Sequence, residues 1–188
     1  EQLQNEGISM SVLPYELTMI AAYMGARRII GYQGEMPWSI ETETQFFRET
    51  TRGSIVIMGR VTWESILRRN GHRLLGRTNL VLSRNDQDGG GYVPVFSVED
   101  ALRVVEQLRH ENQKVFVIGG EQVYKAFLPY ASRLLISRIV HRRGTLPQHA
   151  DAFFPCFNKK EFPIHRRIRS GQDGRYRIVF EERKRVSR

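Results

Sequence analysis

An acid set among apolar residues is the first chemistry this sequence offers. The stretch Met36-Pro37-Trp38-Ser39-Ile40-Glu41-Thr42-Glu43 leads directly into Phe46-Phe47. Pro37 stiffens the loop, Trp38 presents a wide apolar face with one N–H donor, and Glu43 falls in the first turn of a helix whose later face is aromatic. A carboxylate on such a face is costly to bury without a partner, which makes Glu43 a candidate proton-handling group and Glu41 its decoy. The competing reading is that both acids only favour the helix N-terminus electrostatically.

The second chemistry is phosphate binding. Val56-Ile57-Met58-Gly59-Arg60 runs into Thr62-Trp63-Glu64-Ser65, and Val117-Ile118-Gly119-Gly120 runs into Glu121-Gln122-Val123-Tyr124. Each delivers a buried strand through glycine to a helix start, where free N–H groups suit an anion. Neither is a GxGxxG fingerprint, and tight packing alone would explain either glycine. Arg60 and Ser83-Arg84 close two different strands, and guanidinium forks at neighbouring strand ends suit a phosphate monoester.

The elements that must position these groups alternate between β-rich runs and helix-period segments, the pattern of an α/β fold with a largely parallel sheet. Strands are expected at Leu17 to Met24, Ile55 to Met58, Thr78 to Leu82, Val93 to Val95, Val115 to Ile118 and Leu134 to Val140. The runs at 55–58 and 115–118 are apolar throughout, as strands covered on both faces should be. Phe162, Ile164 and Ile168, then Tyr176, Ile178 and Phe180, alternate around Ser170-Gly171-Gln172-Asp173-Gly174, which predicts an edge hairpin with its arginines on the wet face. Ser97-Val98-Glu99-Asp100 has capping-box spacing before Ala101, Leu102, Val105 and Leu108, and Thr42 to Gln45 repeats that signature. Further helices are expected from near Thr62 and from near Glu121 to Leu128-Pro129. The loop Asp86-Gln87-Asp88-Gly89-Gly90-Gly91 is the one stretch rich enough in turn residues to divide the chain.

Composition bounds the classes open to the chain. Its 188 residues suit one domain, and 29 Lys+Arg against 20 Asp+Glu give +9. Twenty-four of the basic residues are arginine, which favours phosphate and carboxylate partners. The single Cys156 excludes an intramolecular disulfide and a multi-cysteine zinc site. His72, His110, His141, His149 and His165 lack metal-ligand spacing, which argues against a protein-held transition metal. No apolar run reaches the roughly 18 residues of a membrane helix. The acidic N-terminal stretch lacks the features of a secretory signal, so a reducing, cytoplasmic setting is expected.

Taken together, several stretches resemble the dihydrofolate reductase family over residues 17–182. The carrying motifs are Ile20-Ala21-Ala22, Ile30-Gly31, Met36-Pro37-Trp38 with Glu43 five positions on, Ile57-Met58-Gly59-Arg60-x-Thr62-Trp63-Glu64-Ser65-Ile66, Gly76-Arg77-x-Asn79, Leu82-Ser83-Arg84, and Ile118-Gly119-Gly120-x-x-Val123-Tyr124. The resemblance implies one domain with an eight-stranded, mostly parallel sheet flanked by helices and closed by an antiparallel C-terminal hairpin. Residues 1–16 would then be an extension and residues 183–188 a basic tail. It implies hydride transfer from NADPH to 7,8-dihydrofolate, giving tetrahydrofolate. Glu43 would bond the pterin and, with ordered water near Trp38, support protonation of the imine nitrogen.

By the same resemblance, Arg77 would pair with the carboxylate of the glutamate tail. Phe47, Ile66 and Leu74 would line the pterin and aminobenzoyl groove, with Ile20, Ala21 and Ile118 near the pterin, and Ser137 would help hold the acid and pterin. Ala22, Ile30 and Met36 would meet the nicotinamide end. Gly59, Arg60, Thr62, Leu82, Ser83 and Arg84 would serve the phosphates, and Gly119, Gly120, Glu121, Gln122, Val123 and Tyr124 the pyrophosphate and ribose. The Gly119–Gly120 bond would be cis, and the loop from Gly31 to Trp38 a lid.

Three departures from the family pattern stand out. Thr44 replaces a larger apolar residue, which bears on antifolate affinity by roughly 1–3 kcal/mol. The run from Leu67 to Leu75 is longer and more basic than usual, and Arg68, Arg69 and Arg73 suit an anionic tail. The stretch from His141 to Ala152 is also long and basic. This combination resembles divergent, phage-borne members more than the common bacterial form. Two rivals remain: the related reductase of riboflavin synthesis, and a reductase-like protein binding nucleic acid through Arg166, Arg167, Arg169 and Arg183-Lys184-Arg185.

Overall fold

The computed structural model describes residues 13–84, 90–144 and 146–186. In chain order the elements are β1 (Leu17–Met24), β2 (Ile29–Gly31), α1 (Glu41–Thr51), β3 (Ile55–Gly59), α2 (Arg60–Asn70), β4 (Thr78–Leu82) and β5 (Val93–Val95). There follow α3 (Val98–Leu108), β6 (Val115–Gly119), α4 (Glu121–Phe127), a 3-10 turn (Leu128–Tyr130), β7 (Arg133–His141), β8 (Ala152–Phe153), β9 (Ile164–Asp173) and β10 (Tyr176–Lys184).

Eight strands follow one path, β5-β4-β3-β6-β1-β7-β10-β9, and the short β2 and β8 extend β1 off that path. The pairs from β5 to β7 are all parallel, while β10 is antiparallel to both β7 and β9. The expected mostly parallel sheet closed by an antiparallel hairpin is therefore present, with two additional two- and three-residue strands.

The central strands alternate between two apolar layers. Ile55 and Ile57 face a cluster built with Ala101, Leu102 and Val105 of α3 and Val123, Tyr124 and Phe127 of α4. Val56 and Met58 face another, which holds Trp63 of α2 and has Phe46 and Phe47 of α1 packed against it. Apolar residues at every position are what a doubly covered strand requires.

Five sequence expectations need correction. Helix α1 begins at Glu41, and its N-cap residue Ile40 makes no side-chain cap bond. Thr42 is not the cap: its N–H and hydroxyl both donate to Asp173 Oδ2, at 3.1 and 3.0 Å, so the cap arrives from β9. Helix α2 starts at Arg60, two residues before Thr62, whereas Ser97 does cap α3 by accepting the Asp100 N–H at 3.0 Å.

The hairpin turn is tighter than the five-residue separator implied, because β9 continues to Asp173 and pairs with Tyr176. Alternation also fails on β9, where Ile164 and Ile168 are exposed while Phe162, just before the strand, is buried. Finally, β10 runs two residues past Glu182. Arg183 is buried there, donating to the Phe162 carbonyl at 3.0 Å and to Glu181 at 3.1 Å. Arg185 bonds the Ala131 and Leu128 carbonyls, and Arg166 pairs with Glu182. A nucleic-acid surface on this hairpin would thus lose its densest cations to internal partners. Residues 1–12 of the N-terminal extension and 86–89 of the Gly-rich loop lie outside the described residues.

Candidate functional site

The site exists because the sheet opens beside β1. Strand β1 pairs with β7 over seven positions, from Thr18 to Met24, but with β6 over only three, from Leu17 to Met19. Beyond Met19 the two strands part, and the Ile20 carbonyl accepts the Tyr124 hydroxyl at 2.7 Å. An opening where connections leave a parallel sheet in opposite directions is where ligands bind α/β proteins. Here it is a cleft of about 1130 Å³.

Most of the predicted residues line that cleft: Ile20, Ala21, Ala22, Ile30, Met36, Glu43, Phe47, Gly59, Arg60, Thr62, Ile66, Leu74, Arg77 and the whole run from Ile118 to Tyr124. The Gly119–Gly120 peptide is cis, as expected. Trp38, Ser137, Leu82, Ser83 and Arg84 do not line it. Trp38 is buried in a third apolar cluster with Met24, Ile40, Ile139, Ile178 and Phe180, against which Ala22 and Met36 pack. Its Nε1 atom is buried without a partner among the described residues. Ser137 on β7 is the cross-strand neighbour of Ala22.

Glu43 is only 7% exposed. Burial pushes its carboxyl up to about 7; the Ser137 hydroxyl works against that rise, without reaching regular hydrogen-bond geometry, and the charge of Arg69 lowers it further. A carboxyl poised near neutrality in a cleft can hold or release a proton under ordinary conditions. Glu41, by contrast, is exposed.

At one end of the cleft lie Arg48, Arg52 and Arg77. Arg77 donates from Nε to the Leu75 carbonyl at 3.0 Å and from its guanidinium to Thr51 Oγ1 at 3.1 Å. Thr51 in turn donates to the Phe47 carbonyl at 2.8 Å, so α1 orients the fork. Burial lowers the Arg77 pKa, and the like charges of Arg48 and Arg52 lower it further. Such crowding suits a carboxylate ligand.

At the other end, α2 opens at Gly59 with no side-chain cap. Arg60 approaches Ser83 Oγ at 3.5 Å and lies over the Tyr92 ring. Leu82, Ser83 and Arg84 therefore sit behind Arg60 rather than in the cleft wall. A Cβ at Gly120 would come within 3.5 Å of Thr62 Oγ1, and one at Gly119 within 3.2 Å of the Tyr124 ring. Glycine is required at position 119, where the contact is tight and φ is +119°, whereas a Cβ at 120 would make only an ordinary contact.

The segment expected to form a lid turns through a two-residue hairpin. Tyr32 and Glu35 exchange backbone hydrogen bonds of 2.8 and 3.0 Å, with Gln33 and Gly34 both at positive φ between them. At its base Gly31 pairs with Ala152, and at its turn the Gln33 N–H donates to Asp151 Oδ2 at 2.8 Å.

These features agree with the comparisons to known proteins. The family model of dihydrofolate reductase matches residues 16–185. The chain belongs to the dihydrofolate reductase family. It is 31% identical over 144 residues to the dihydrofolate reductase of Staphylococcus haemolyticus, covering 76% of this chain and 78% of that protein. It is 37% identical over 146 residues to the type A13 dihydrofolate reductase of Escherichia coli, covering 77% and 81%, and 34% identical over 142 residues to that of Bacillus subtilis, covering 75% and 77%. The chain is thus a dihydrofolate reductase, an oxidoreductase of one-carbon metabolism that works with a nicotinamide cofactor.

Sequence reasoning missed part of this reductase's cleft. Arg48 lies in the last turn of the helix that carries Glu43 and Arg52 is the residue that ends that helix, so the two are brought to the cleft by where α1 stops. Gly34, Glu35, Val61, Ser65 and Asp151 also line the cleft. Nothing local marks them, since each matters through a partner on another element.

Proposed function

We propose that the enzyme reduces 7,8-dihydrofolate to 5,6,7,8-tetrahydrofolate with NADPH as the hydride source, and that Glu43 is its acid. The observation that carries this reading is the burial of one carboxyl, Glu43, in the cleft wall, with its pKa pushed up to about 7. Protonated, Glu43 can donate to the substrate; ionised, it can accept from the pterin amino group and ring N–H. Its proton polarises the imine, which makes the adjacent carbon a better hydride acceptor. On the family resemblance, Trp38 would hold an ordered water that relays the proton to the imine nitrogen, and Ser137, whose hydroxyl favours the ionised form of Glu43, would help to hold the carboxyl and the pterin.

The bound nicotinamide supplies the hydride. Ala22, Ile30 and Met36 form the apolar wall that would orient its ring, and Gly119, Gly120 and Thr62 leave the space its pyrophosphate needs. Arg60, Ser83 and Arg84 would hold the phosphate that distinguishes NADPH from NADH. Phe47, Ile66 and Leu74 would carry the aminobenzoyl group, and Arg77 its glutamate carboxylate. Antifolates would occupy the same groove, with fewer apolar contacts at Thr44, which lines the cleft and turns its hydroxyl to the Ile40 carbonyl.

The test is steady-state oxidation of NADPH and of NADH with dihydrofolate, in wild type and Arg60→Ala. Wild type is expected to prefer NADPH, and Arg60→Ala to lose kcat/KM for NADPH while keeping it for NADH. An equal loss with both cofactors would remove Arg60 from the phosphate site. No oxidation of either by wild type would defeat the reading.

A further inference from the structure

We propose that Glu35 is a positioning residue, which clasps the β2–α1 hairpin across the mouth of the cleft through Ser65, Arg68 and Arg69 of α2. The inference rests on the reading of this cleft as the ligand site. Both carboxylate oxygens of Glu35 are engaged. Oε1 accepts from Arg68 Nε at 3.4 Å and from its terminal nitrogen at 3.1 Å; Oε2 accepts from Ser65 Oγ at 3.2 Å and from Arg69 at 3.3 Å.

Positions 65, 68 and 69 share one helix face, so a single carboxylate can meet all three. The hairpin tip follows: a Cβ at Gly34 would come within 3.3 Å of Val61 and 3.5 Å of Arg68, both on the same helix. The hairpin is tied to the opposite wall as well, at its base where Gly31 pairs with Ala152 and at its turn where the Gln33 N–H donates to Asp151. Gly34, Glu35, Met36, Ser65 and Arg69 all line the same cleft. The contact therefore joins two walls of one site, and the clasp would slow the exit of a ligand that passes beneath the hairpin.

The strength of the clasp suits a part that must open. Its side chains are roughly half exposed, at 42% for Glu35, 56% for Arg68 and 43% for Arg69. Exposed pairs are individually weak and are screened by salt. One carboxylate shared by two guanidinium groups should slow opening by about threefold to fivefold at low salt.

Two measurements test this. The release of NADP⁺ and of tetrahydrofolate is followed by stopped-flow trapping over a range of ionic strength, in wild type, Glu35→Gln and the double variant Arg68→Gln with Arg69→Gln. Release is expected to be about threefold to fivefold faster in each variant at low salt. Wild type should approach the variants as salt rises, and combining all three substitutions should add nothing further. Charge reversal, Glu35→Arg with Arg68→Glu and Arg69→Glu, should restore slow release. Amide hydrogen exchange over residues 32–36 needs no ligand and is expected to quicken by the same factor in Glu35→Gln. Unchanged exchange there, or release equally fast and equally salt-dependent in all forms, overturns the clasp. Faster exchange in a protein that binds neither ligand would defeat the assignment of the cleft and leave the clasp standing.

Discussion

Replacing Glu43 by glutamine removes the ionisable proton with little change in size, and the structure sets two opposite expectations for that one change. The carboxyl has moved from its ordinary 4.5 up to about 7, chiefly by burial. An interval of that size corresponds to about 3 kcal/mol. The native state binds the proton more tightly than the unfolded chain does. The contribution is therefore fully present below about pH 4.5, is lost as pH rises toward about 7, and is flat above it. The amide side chain cannot ionise, so Glu43→Gln should be more stable than wild type by up to about 3 kcal/mol near pH 8, with the difference vanishing near pH 4. Catalysis should move the other way. Without the donor, the single-turnover oxidation of NADPH by dihydrofolate should slow by about 10² to 10⁴-fold. The wild-type rate should fall as pH rises through about 7, and the variant rate should be flat. Urea unfolding and stopped-flow NADPH fluorescence, each across roughly pH 5 to 9, read the two halves. A stability difference independent of pH would refute the buried, raised carboxyl, and equal rates at pH 6 would refute its role as the acid.

Arg77→Ala should raise KM for dihydrofolate by about 10- to 100-fold, the worth of a hydrogen bond to a charged group, and leave KM for NADPH unchanged; an unchanged folate KM would take Arg77 out of the site. Gly119→Ala places a Cβ 3.2 Å from the Tyr124 ring at a φ of +119°, so fluorescence titration should show weaker NADPH binding and unfolding a loss of roughly 1–3 kcal/mol. Arg183→Leu leaves Glu181, only 1% exposed, with a single cation, Arg138, and should cost about 3–5 kcal/mol in urea unfolding, with no change in kcat per folded molecule.

What can be read from the sequence is whatever a short stretch specifies by itself. The strands β1 and β4 lie where apolar runs place them, because burial on two faces leaves a continuous signature, and the short edge strand β5 lies where its valines place it. Helix α3 starts where its own Ser97 caps it. The start of helix α1 is misleading in sequence because Asp173, 131 residues away, supplies its first hydrogen bonds, and Thr42 alone looks like a cap. The same limit runs through the site. The glycine pair and the Met36 to Glu43 stretch are linear motifs, whereas Arg48 and Arg52 acquire meaning only when Arg77 folds back onto Thr51.

Two of the glutamates that line the cleft, Glu43 and Glu35, make the point sharpest, since residue type cannot separate them. Glu43 is buried in the wall of the cleft that Ile20 and Phe47 also line, has no cation bonded to it among the described residues, and is pushed up to about 7. For Glu35 slight burial works in the same direction, but hydrogen bonds from Arg68 and Ser65 and the charges of both arginines outweigh it and hold its carboxyl below the usual range. Near neutral pH one can carry a proton and the other is committed to its charge. Environments that drive like groups apart in this way assign their roles. Glu43 is suited to donate a proton and cannot serve as an ionic strut, while Glu35 is suited to clasp two guanidinium groups and has no proton to give. Arg69 lies within electrostatic reach of both, lowering each. When Glu35 lets go, the charge on Arg69 is less neutralised and bears more strongly on Glu43, so opening the lid should favour the ionised acid and closing it the protonated one. If Glu43 is the acid proposed above, the closed cleft would be the state that holds its proton ready for the substrate.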